Sequence, residues 1–378
     1  MRSTRLMLAV AAALALAVTA CGSDNENNGV PQTSNSGSSS DSGGKSALLG
    51  GTLNGAGATF PQPVYQEWAA RFQEKTGTTV NYQGIGSGGG VAQFTAGTVD
   101  FGASDAAMTD EEIAEAQKKG SDPVHVPTVL GAVTVSYNLD GVDKGMKLDG
   151  KTIADIFLQK VKKWNDPEIA GQNADLKLPD SNITICHRSD ESGTTKNFTA
   201  FLANYSPEWK NGPGVDKSVK CPGGTGAKGN DGVAACIKQN AGAVGYVEQA
   251  YALANNFTFA SVKNKSGDYI EPSLEGAAAA AEGLDIPDDL RISTIDAPGK
   301  TAYPITALTF LLVWQDTCKA GKDEAAAKRL KAWLQFAEGD GQSVAKELQY
   351  APLPDDLHTK AMAKVDGLQC NGAAISGT

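Results

Sequence analysis

The sequence of 378 residues contains few of the residues that form metal and redox sites. Its three histidines, His125, His187 and His358, show no metal-ligand spacing. Its six cysteines include no C-x-x-C pair. These absences argue against a metal site, and we expect no cofactor.

A basic surface and long apolar runs are also missing. The formal net charge is −10, and no basic stripe is present to neutralise phosphates, which argues against nucleic acid as a partner. Beyond the N-terminal segment, no apolar run is long enough to span a membrane. Because an acidic body cannot attract anions through its overall field, any anion site in this chain must act through local hydrogen bonds.

The 43 glycines are concentrated in turns. Four turns rich in Gly, Ser and Thr each follow a short β-type run and lead into a helix-type pattern. They are GAGATF (55–60), GIGSGGG (84–90), GASDAAM (102–108) and RSDESGTT (188–195). A helix start exposes unpaired N–H groups and the positive end of the helix dipole, which favour anions. A single turn of this kind is often a plain surface loop, but four that converge predict a site around a small anion.

One of these turns also matches a different motif. GIGSGG (84–89) fits the G-x-G-x-x-G fingerprint of dinucleotide-binding proteins, after a strand and before a helix. The helix predicted after it, Val91–Ala96, is short, and an exported protein works where nicotinamide cofactors are not supplied. We therefore favour the anion site over an oxidoreductase.

The charged residues of the turns each have two interpretations. Arg188 can be the cation of the anion site, with Asp190 holding its guanidinium fork. Alternatively, the two form a surface pair in which Asp190 caps the next helix. Asp105 repels an anion unless the ligand brings a proton for the carboxylate to accept. Its alternative role is a favourable charge at a helix N-terminus.

The N-terminus has the features of an export signal. A basic start precedes the apolar run Leu6–Val18, which is too short to span a bilayer, so residues 1–20 are predicted to be a signal peptide. The run ends in V-T-A-C, which resembles a lipobox and predicts lipidation of Cys21 on the extracytoplasmic face of the cell membrane. The alternative is an ordinary secretory cleavage site. Residues 21–46 are predicted to form a disordered linker.

After the linker, strand-type and helix-type segments alternate, which predicts an α/β fold with parallel or mixed sheets. We expect two long apolar segments, Thr128–Asn138 and Ala302–Trp314, to cross between two lobes. Lobe 1 is predicted to comprise residues 47–128 and 302–378, and lobe 2 residues 129–301. Ligands of such sheets bind beyond the carboxyl ends of the strands, so the turns predict a cleft between the lobes.

Six segments of the chain resemble one protein family. They are GAGATFPQPVYQEW, VNYQGIGSGGG, VDFGASDAAM, RSDESGTT, KGNDGVAA and GAVGYVEQAYA. Together and in this order they resemble the phosphate-binding protein of the bacterial high-affinity phosphate ABC transporter. The resemblance implies a two-lobed periplasmic-binding-protein fold that closes on one dehydrated phosphate. It also implies delivery of that phosphate to the permease and ATPase complex, and no enzymatic activity.

The same resemblance implies a ligand set. The residues implied to bind phosphate are Thr59, Phe60, Ser87, Asp105, Arg188, Ser192, Gly193 and Thr194, with Asp190 supporting the arginine. Phe60 and Gly193 contribute backbone N–H groups in this scheme. Glu191 departs from the family, in which we expect Gly at this position, and it adds a negative charge near the site.

Two other functions stay open. An exported phosphatase needs a nucleophile beside a base, or a metal cluster, and the sequence displays neither. A binding protein for sulfate or molybdate would keep the fold and change the ligand. Those dianions carry no proton at neutral pH, so Asp105 argues against them.

Export also permits disulfides, and five cysteines follow Cys21. We expect Cys318 to pair with Cys370, because both lie in the C-terminal portion. We expect a second pair between Cys221 and Cys236, which bracket the KGNDG loop, and a buried thiol at Cys186.

The predicted lipid anchor can be tested by removing its attachment point. We expect Cys21→Ala to release the protein into the soluble fraction or the medium, because stable anchoring needs acyl chains on this residue. Fractionation followed by immunoblotting measures the change. A variant that stays with the membranes as the wild type does would contradict the lipidation of Cys21.

Overall fold

The structure is a computed structural model that describes residues 49–142 and 145–376. The predicted signal peptide, the lipidation site Cys21 and the predicted linker lie outside the described residues. Within them, no helix is both long enough and apolar enough to cross a membrane.

Thirteen helices lie within the described residues. In chain order they are α1 (Gln62–Thr76), α2 (Ser87–Ala96), α3 (Asp110–Gln117), α4 (Gly150–Phe157), α5 (Pro167–Ala170), α6 (Gly193–Tyr205), α7 (Pro207–Asn211), α8 (Gly229–Gln239), α9 (Gln249–Ala254), α10 (Leu274–Ala279), α11 (Glu324–Glu338), α12 (Asp340–Glu347) and α13 (Asp355–Asp366).

Strands alternate with these helices over most of the chain. In chain order they are β1 (Thr52–Gly57), β2 (Thr79–Gly84), β3 (Phe101–Ser104), β4 (Pro123–Asn138), β5 (Lys147–Leu148), β6 (Thr184–Arg188), β7 (Thr225–Ala227), β8 (Ala243–Glu248), β9 (Thr258–Phe259), β10 (Ser261–Lys263), β11 (Tyr269–Ile270), β12 (Thr306–Trp314), β13 (Gln369–Cys370) and β14 (Ala373–Ala374).

The main sheet is mixed rather than parallel throughout. Its strand order is β2-β1-β3-β12-β4-β8-β6-β7, and β9 also pairs with β4. β1 is parallel to β2 and β3, and β6 is parallel to β7 and β8, as the alternating pattern predicts. β12 is antiparallel to β3 and β4, and β4 is antiparallel to β8. A continuous apolar run identifies a buried strand, but it does not reveal whether that strand runs parallel or antiparallel to its neighbours.

The long strand β4 joins two halves of this sheet. Its residues Pro123–Ala132 pair with β12, and its residues Val133–Asn138 pair with β8. The half containing β2, β1, β3 and β12 is the sheet of the first lobe, and the half containing β8, β6 and β7 is that of the second. The fold is therefore two-lobed, and the predicted crossing at Thr128–Asn138 lies within β4.

The structure does not test the residue numbers at which the chain was predicted to pass between the lobes. One segment that was assigned to lobe 2 packs with strands of the first lobe. Its residues Ala277 and Leu290 share a hydrophobic cluster with Phe94 of α2 and Leu308 of β12. The exact return point of the chain therefore depends on packing, which the sequence pattern does not reveal.

Local signals position several helix ends. Thr109 and Glu112 form the predicted capping box at the start of α3. Gly77 follows α1 with a left-handed φ of 72°, as expected of a helix-ending glycine. α2 begins at Ser87, four residues before the predicted start at Val91. A Cβ on Gly90 would lie 2.6 Å from the Cα of Gly57, so glycine at this position allows α2 to pack closely on β1.

The disulfide predictions were half right. Cys318 and Cys370 form the expected bridge, with Cα atoms 4.7 Å apart. The expected bridge between Cys221 and Cys236 is wrong, because Cys236 is bonded to Cys186, with Cα atoms 6.0 Å apart. The expected buried thiol at Cys186 is therefore wrong as well. α8 packs its apolar face on β6 and β8, which brings Cys236 against Cys186 in a common core cluster. Cys221 stays a free, half-buried thiol.

A buried carboxyl closes the C-terminal end of α11. Glu338 is 1 % exposed, and neither of its carboxyl oxygens has a hydrogen-bond partner among the described residues. Burial therefore raises the pKa of Glu338 well above its usual range. Nε2 of His358 lies 4.0 Å from Oε2 of Glu338.

This carboxyl should make the fold less stable as the pH rises. A raised folded-state pKa contributes stability below the unfolded pKa of about 4.3, and that contribution is lost as the pH rises towards the folded value, at up to about 1.4 kcal/mol per pH unit. We expect Glu338→Gln to remove this loss, so the variant should exceed the wild type in melting temperature by more at pH 8 than at pH 5. Thermal unfolding measures the difference, with the exposed Glu282→Gln as control. An equal difference at both pH values would show that Glu338 is not the responsible group.

Candidate functional site

The predicted turns lie at the carboxyl ends of the parallel strands. Thr59 and Phe60 follow β1, Ser87 follows β2, and Asp105 follows β3. In the second lobe, the segment 189–194 follows β6. Three of the four turns lead directly into a helix, whereas the turn with Asp105 runs on to Asp110 before α3 begins. Asp105 is therefore not at a helix N-terminus, which removes the alternative role considered for it.

Asp105 is buried at the centre of the site. Its Oδ1 accepts a hydrogen bond of 2.9 Å from the hydroxyl of Thr309 on β12, and its Oδ2 accepts one of 3.4 Å from Ser87. Burial raises the pKa of Asp105 to about 7, although these hydrogen bonds and the charge of Arg188 act in the opposite direction. At neutral pH the carboxyl is therefore close to the point at which it gains or loses its proton.

Arg188 supplies a buried positive charge that is held by Asp190. The Nε and Nη2 atoms of the guanidinium donate to the two carboxylate oxygens of Asp190 at 2.8 and 2.6 Å. The Asp190 carboxylate also accepts the backbone N–H of Gly229 at 3.1 Å. Burial alone would raise the pKa of Asp190, but the bonds and charge of Arg188 outweigh it, so the pKa is lowered. The guanidinium of Arg188 is therefore fixed in a bidentate pair with Asp190. Its third nitrogen, Nη1, lies 3.5 Å from Oγ1 of Thr194.

Three buried hydroxyls lie around these charges. Ser87 Oγ accepts the backbone N–H groups of Gly193 at 2.9 Å and of Asp105 at 3.3 Å. Thr59 Oγ1 accepts two hydrogen bonds from Asn230, from the backbone N–H at 3.1 Å and from Nδ2 at 3.0 Å. The hydroxyl of Thr194 lies 3.4 Å from the same Nδ2. Hydroxyls of both lobes therefore meet in one polar cluster.

Direct contacts between the lobes close this cluster. Besides the bond from Gly193 to Ser87, the N–H of Gly88 donates to the carbonyl of Glu191 at 3.0 Å. Nδ2 of Asn197 donates to the carbonyl of Asp105 at 2.6 Å. A Cβ on Gly193 would lie 2.7 Å from both Cβ of Asp105 and Oγ of Ser87, so a larger residue there would separate the two lobes.

The structure places the predicted residues as follows. Thr59, Ser87, Asp105, Arg188, Gly193 and Thr194, with the supporting Asp190, are linked by the hydrogen bonds described above. Ser192 caps α6, where its hydroxyl accepts the N–H of Thr195 at 3.1 Å. Phe60 is buried beside them, and its carbonyl accepts a hydrogen bond of 2.7 Å from Tyr350. Glu191 is exposed, and it meets the first lobe through its carbonyl and through its side chain, which lies against Gly88.

Two side chains that donate hydrogen bonds to side-chain oxygens of the site were not predicted from the sequence. Thr309 lies inside the apolar strand β12, and nothing in its neighbourhood signals a polar contact. Asn230 lies in a fifth Gly-rich turn, KGNDG, which follows β7 and opens α8. That strand-turn-helix pattern is the same signal that identified the other turns. Within the described residues, no group of three or more His, Cys, Asp and Glu side chains is arranged to hold a metal ion.

The fold matches a known superfamily of binding proteins. A family model described as the PBP superfamily domain matches residues 32–339. A solved structure of a high-affinity periplasmic phosphate-binding protein (PfluDING) aligns with 85% of this chain and 99% of that one, with a TM-score of 0.70 and 22% identity. A human phosphate-binding apolipoprotein aligns over the same shares with a TM-score of 0.69 and 21% identity. Together they define the chain as a two-lobed binding protein of the PBP superfamily.

Relatives with known names narrow the class. The phosphate-binding protein PstS of Xylella fastidiosa strain 9a5c is 41% identical over 337 residues, which are 88% of this chain and 89% of the relative. That of Haemophilus influenzae is 42% identical over 309 residues, 81% of this chain and 90% of the relative. PstS3 of Mycobacterium bovis BCG is 34% identical over 374 residues, 96% and 97% of the two chains. The chain belongs to the PstS family of phosphate-binding proteins.

The pairing of Arg188 with Asp190 can be tested through stability. The side chain of Arg188 is 1 % exposed, so Asp190→Ala leaves a buried guanidinium without its two charge-assisted bonds. We expect the free energy of unfolding to fall by about 1.5–3 kcal/mol. Chemical denaturation measures this loss against Asp231→Ala, which removes an exposed carboxylate from the neighbouring turn. If both variants are equally stable, the pair does not fix the arginine.

Proposed function

We propose that this protein binds inorganic phosphate outside the cytoplasmic membrane and delivers it to an ABC phosphate permease and its ATPase. The observation that carries the proposal is the buried polar cluster between the lobes. Donors from both lobes surround one carboxyl group there, and that carboxyl group has a pKa of about 7. Membership in the PstS family supports the same ligand.

We propose that the predicted ligand set receives the anion in place of its water shell. The hydroxyls of Thr59, Ser87, Ser192 and Thr194, the guanidinium of Arg188 and the N–H groups of Phe60 and Gly193 would donate to phosphate oxygens. Two of these donors, the N–H of Gly193 and the hydroxyl of Ser87, contact Ser87 and Asp105 in this structure and would exchange those contacts for the anion. The local charge comes from Arg188, because the net charge of −10 gives the protein no overall attraction for anions.

Asp105 would decide which anion is accepted. A phosphate ion keeps at least one proton at neutral pH and can donate it to the carboxylate. A sulfate ion has no proton, so it would face an ionised carboxylate with nothing between the two charges. A buried acceptor left in this way costs roughly 1–3 kcal/mol, and more when it is charged.

We propose an extracytoplasmic location with lipid attachment through Cys21. The lipobox-like V-T-A-C segment and the linker composition of residues 21–46 support this arrangement. Such a linker has a root-mean-square span of roughly 25–30 Å, which would let the domain reach a permease while attached to the bilayer.

The competing function is hydrolysis of phosphate esters. The buried cluster contains hydroxyls but no histidine or cysteine, and Asp105 is engaged by Ser87 and Thr309. A binding role therefore fits the cluster better than a hydrolytic one. Colour release from a chromogenic phosphate ester by the purified protein would favour the phosphatase.

The role of Asp105 can be tested by calorimetry with phosphate and sulfate at pH 6 and pH 8. We expect the wild type to bind phosphate at both pH values and to reject sulfate at pH 8 by a factor on the order of 10⁴. At pH 6 the rejection should weaken, because a carboxyl with a pKa of about 7 takes up a proton and donates it to sulfate. Asp105→Asn donates at any pH, so its sulfate affinity should rise and lose this pH dependence.

Arsenate and a surface variant provide the controls. Arsenate carries protons as phosphate does, so Asp105→Asn should not gain arsenate affinity relative to phosphate. Asp110→Asn removes a carboxylate whose side chain is 83% exposed, and it should bind all three anions as the wild type does. If Asp105→Asn rejects sulfate as strongly as the wild type, another group provides the selectivity.

A further inference from the structure

Asn230 connects a threonine hydroxyl of each lobe. It lies in the first turn of α8 and is fully buried. Its Nδ2 donates to Thr59 Oγ1 of the first lobe at 3.0 Å and to Thr194 Oγ1 of the second lobe at 3.4 Å. Its backbone N–H donates to Thr59 Oγ1 as well, at 3.1 Å.

The orientation of the Asn230 amide is fixed by its other end. Oδ1 accepts the backbone N–H of Glu248 at 3.0 Å, and that group can only donate. Rotating the amide by 180° would place Nδ2 against this N–H, which would set two donors against each other. The NH₂ group therefore faces the two threonines, and Asn230 acts on them as a donor.

A count of protons then fixes the direction of the threonine hydroxyls. A hydroxyl oxygen accepts two hydrogen bonds and donates one. Both acceptor positions of Thr59 Oγ1 are taken by the N–H groups of Asn230. Those of Thr194 Oγ1 are taken by Nδ2 of Asn230 and Nη1 of Arg188. Each threonine hydrogen must therefore point to an acceptor elsewhere.

Ser87 shows the same pattern without Asn230. Its oxygen accepts the N–H groups of Gly193 and Asp105, and its hydrogen is directed to the Asp105 carboxylate at 3.4 Å. The hydroxyls are thus set as donors before any ligand arrives, and Asp105 is the acceptor among them. A bound anion must then present deprotonated oxygens to the threonines and its proton to Asp105.

We infer that Asn230 is a positioning residue that orients the hydroxyls of Thr59 and Thr194 as donors towards the bound anion. The inference rests on the proposed function, because phosphate is the anion that these hydroxyls would receive. Without Asn230, each hydroxyl gains a free acceptor position and can rotate away from the ligand. Phosphate binding would then include the cost of reorienting both groups.

A double-mutant cycle separates this role from a structural one. Phosphate affinity is measured by calorimetry on the purified full-length chain, with Asn230→Ala in the wild-type background and in a Thr59→Val, Thr194→Val background. We expect Asn230→Ala to weaken binding roughly ten-fold in the first background and less than about two-fold in the second, where no hydroxyls remain to be oriented. Equal factors in both backgrounds would overturn the inference, as would wild-type affinity in Asn230→Ala itself.

Two further variants keep the result interpretable. Asn197→Ala is the matched control, because Asn197 donates to the carbonyls of Asp105 and Gly193 rather than to hydroxyls, so its effect should be the same factor in both backgrounds. If Asn230→Ala does not fold, as judged by thermal unfolding without phosphate, Asn230→Asp replaces it. The added charge then repels phosphate in both backgrounds. The cycle still isolates the part of the affinity loss that depends on the threonine hydroxyls.

The wild type distinguishes the two proposals. If the wild-type chain does not bind phosphate, the proposed function fails. If it binds phosphate and the cycle is additive for Asn230, only the positioning role fails.

Discussion

A small anion that leaves water must find donors in place of its whole hydration shell, and no single loop can surround it. In this protein, the donors come from two half-sheets joined by one strand, β4, which pairs with β12 along its first part and with β8 along its second. The turns at the carboxyl ends of the parallel strands then face each other across the cleft. Closure brings backbone to backbone, as between Gly88 and Glu191, because the glycines leave no side chain in the way.

The sequence predicts those parts of the site that depend on local structure. A short β-type run, a Gly-rich turn and a helix pattern identify where backbone N–H groups are exposed, and this signal located Ser87, Asp105 and Arg188. The same signal was present around Asn230, although that residue was not assigned. Thr309 could not be found in this way, since it reaches Asp105 from an otherwise apolar strand through antiparallel pairing of β12 with β3.

The fold shows the same division between local and long-range information. Helices and strands were predicted from periodicity because burial of one face produces it. The direction of β12, the return point of the chain and the partner of Cys236 depend on how distant segments pack. Spacing in the sequence favoured Cys221 as the partner, whereas the packing of α8 on β6 selects Cys186. The pairing of Cys236 is therefore decided by the face of the helix that packs on the sheet, and not by closeness in the sequence.

Three carboxyls near the cleft show how the surroundings of a carboxyl set its pKa. Asp190 has a bidentate arginine, and its pKa is lowered. Asp105 has hydroxyl donors and a more distant charge, and its pKa is about 7. Glu248 is buried and has no ion pair among the described residues, and burial raises its pKa well above the usual range. The single hydrogen of the Tyr350 hydroxyl faces two acceptors, the carbonyl of Phe60 at 2.7 Å and Oε2 of Glu248 at 2.9 Å. A raised pKa favours the neutral form of Glu248, whereas the carboxyl that lies among the buried hydroxyls of the cleft is Asp105, with a pKa of about 7.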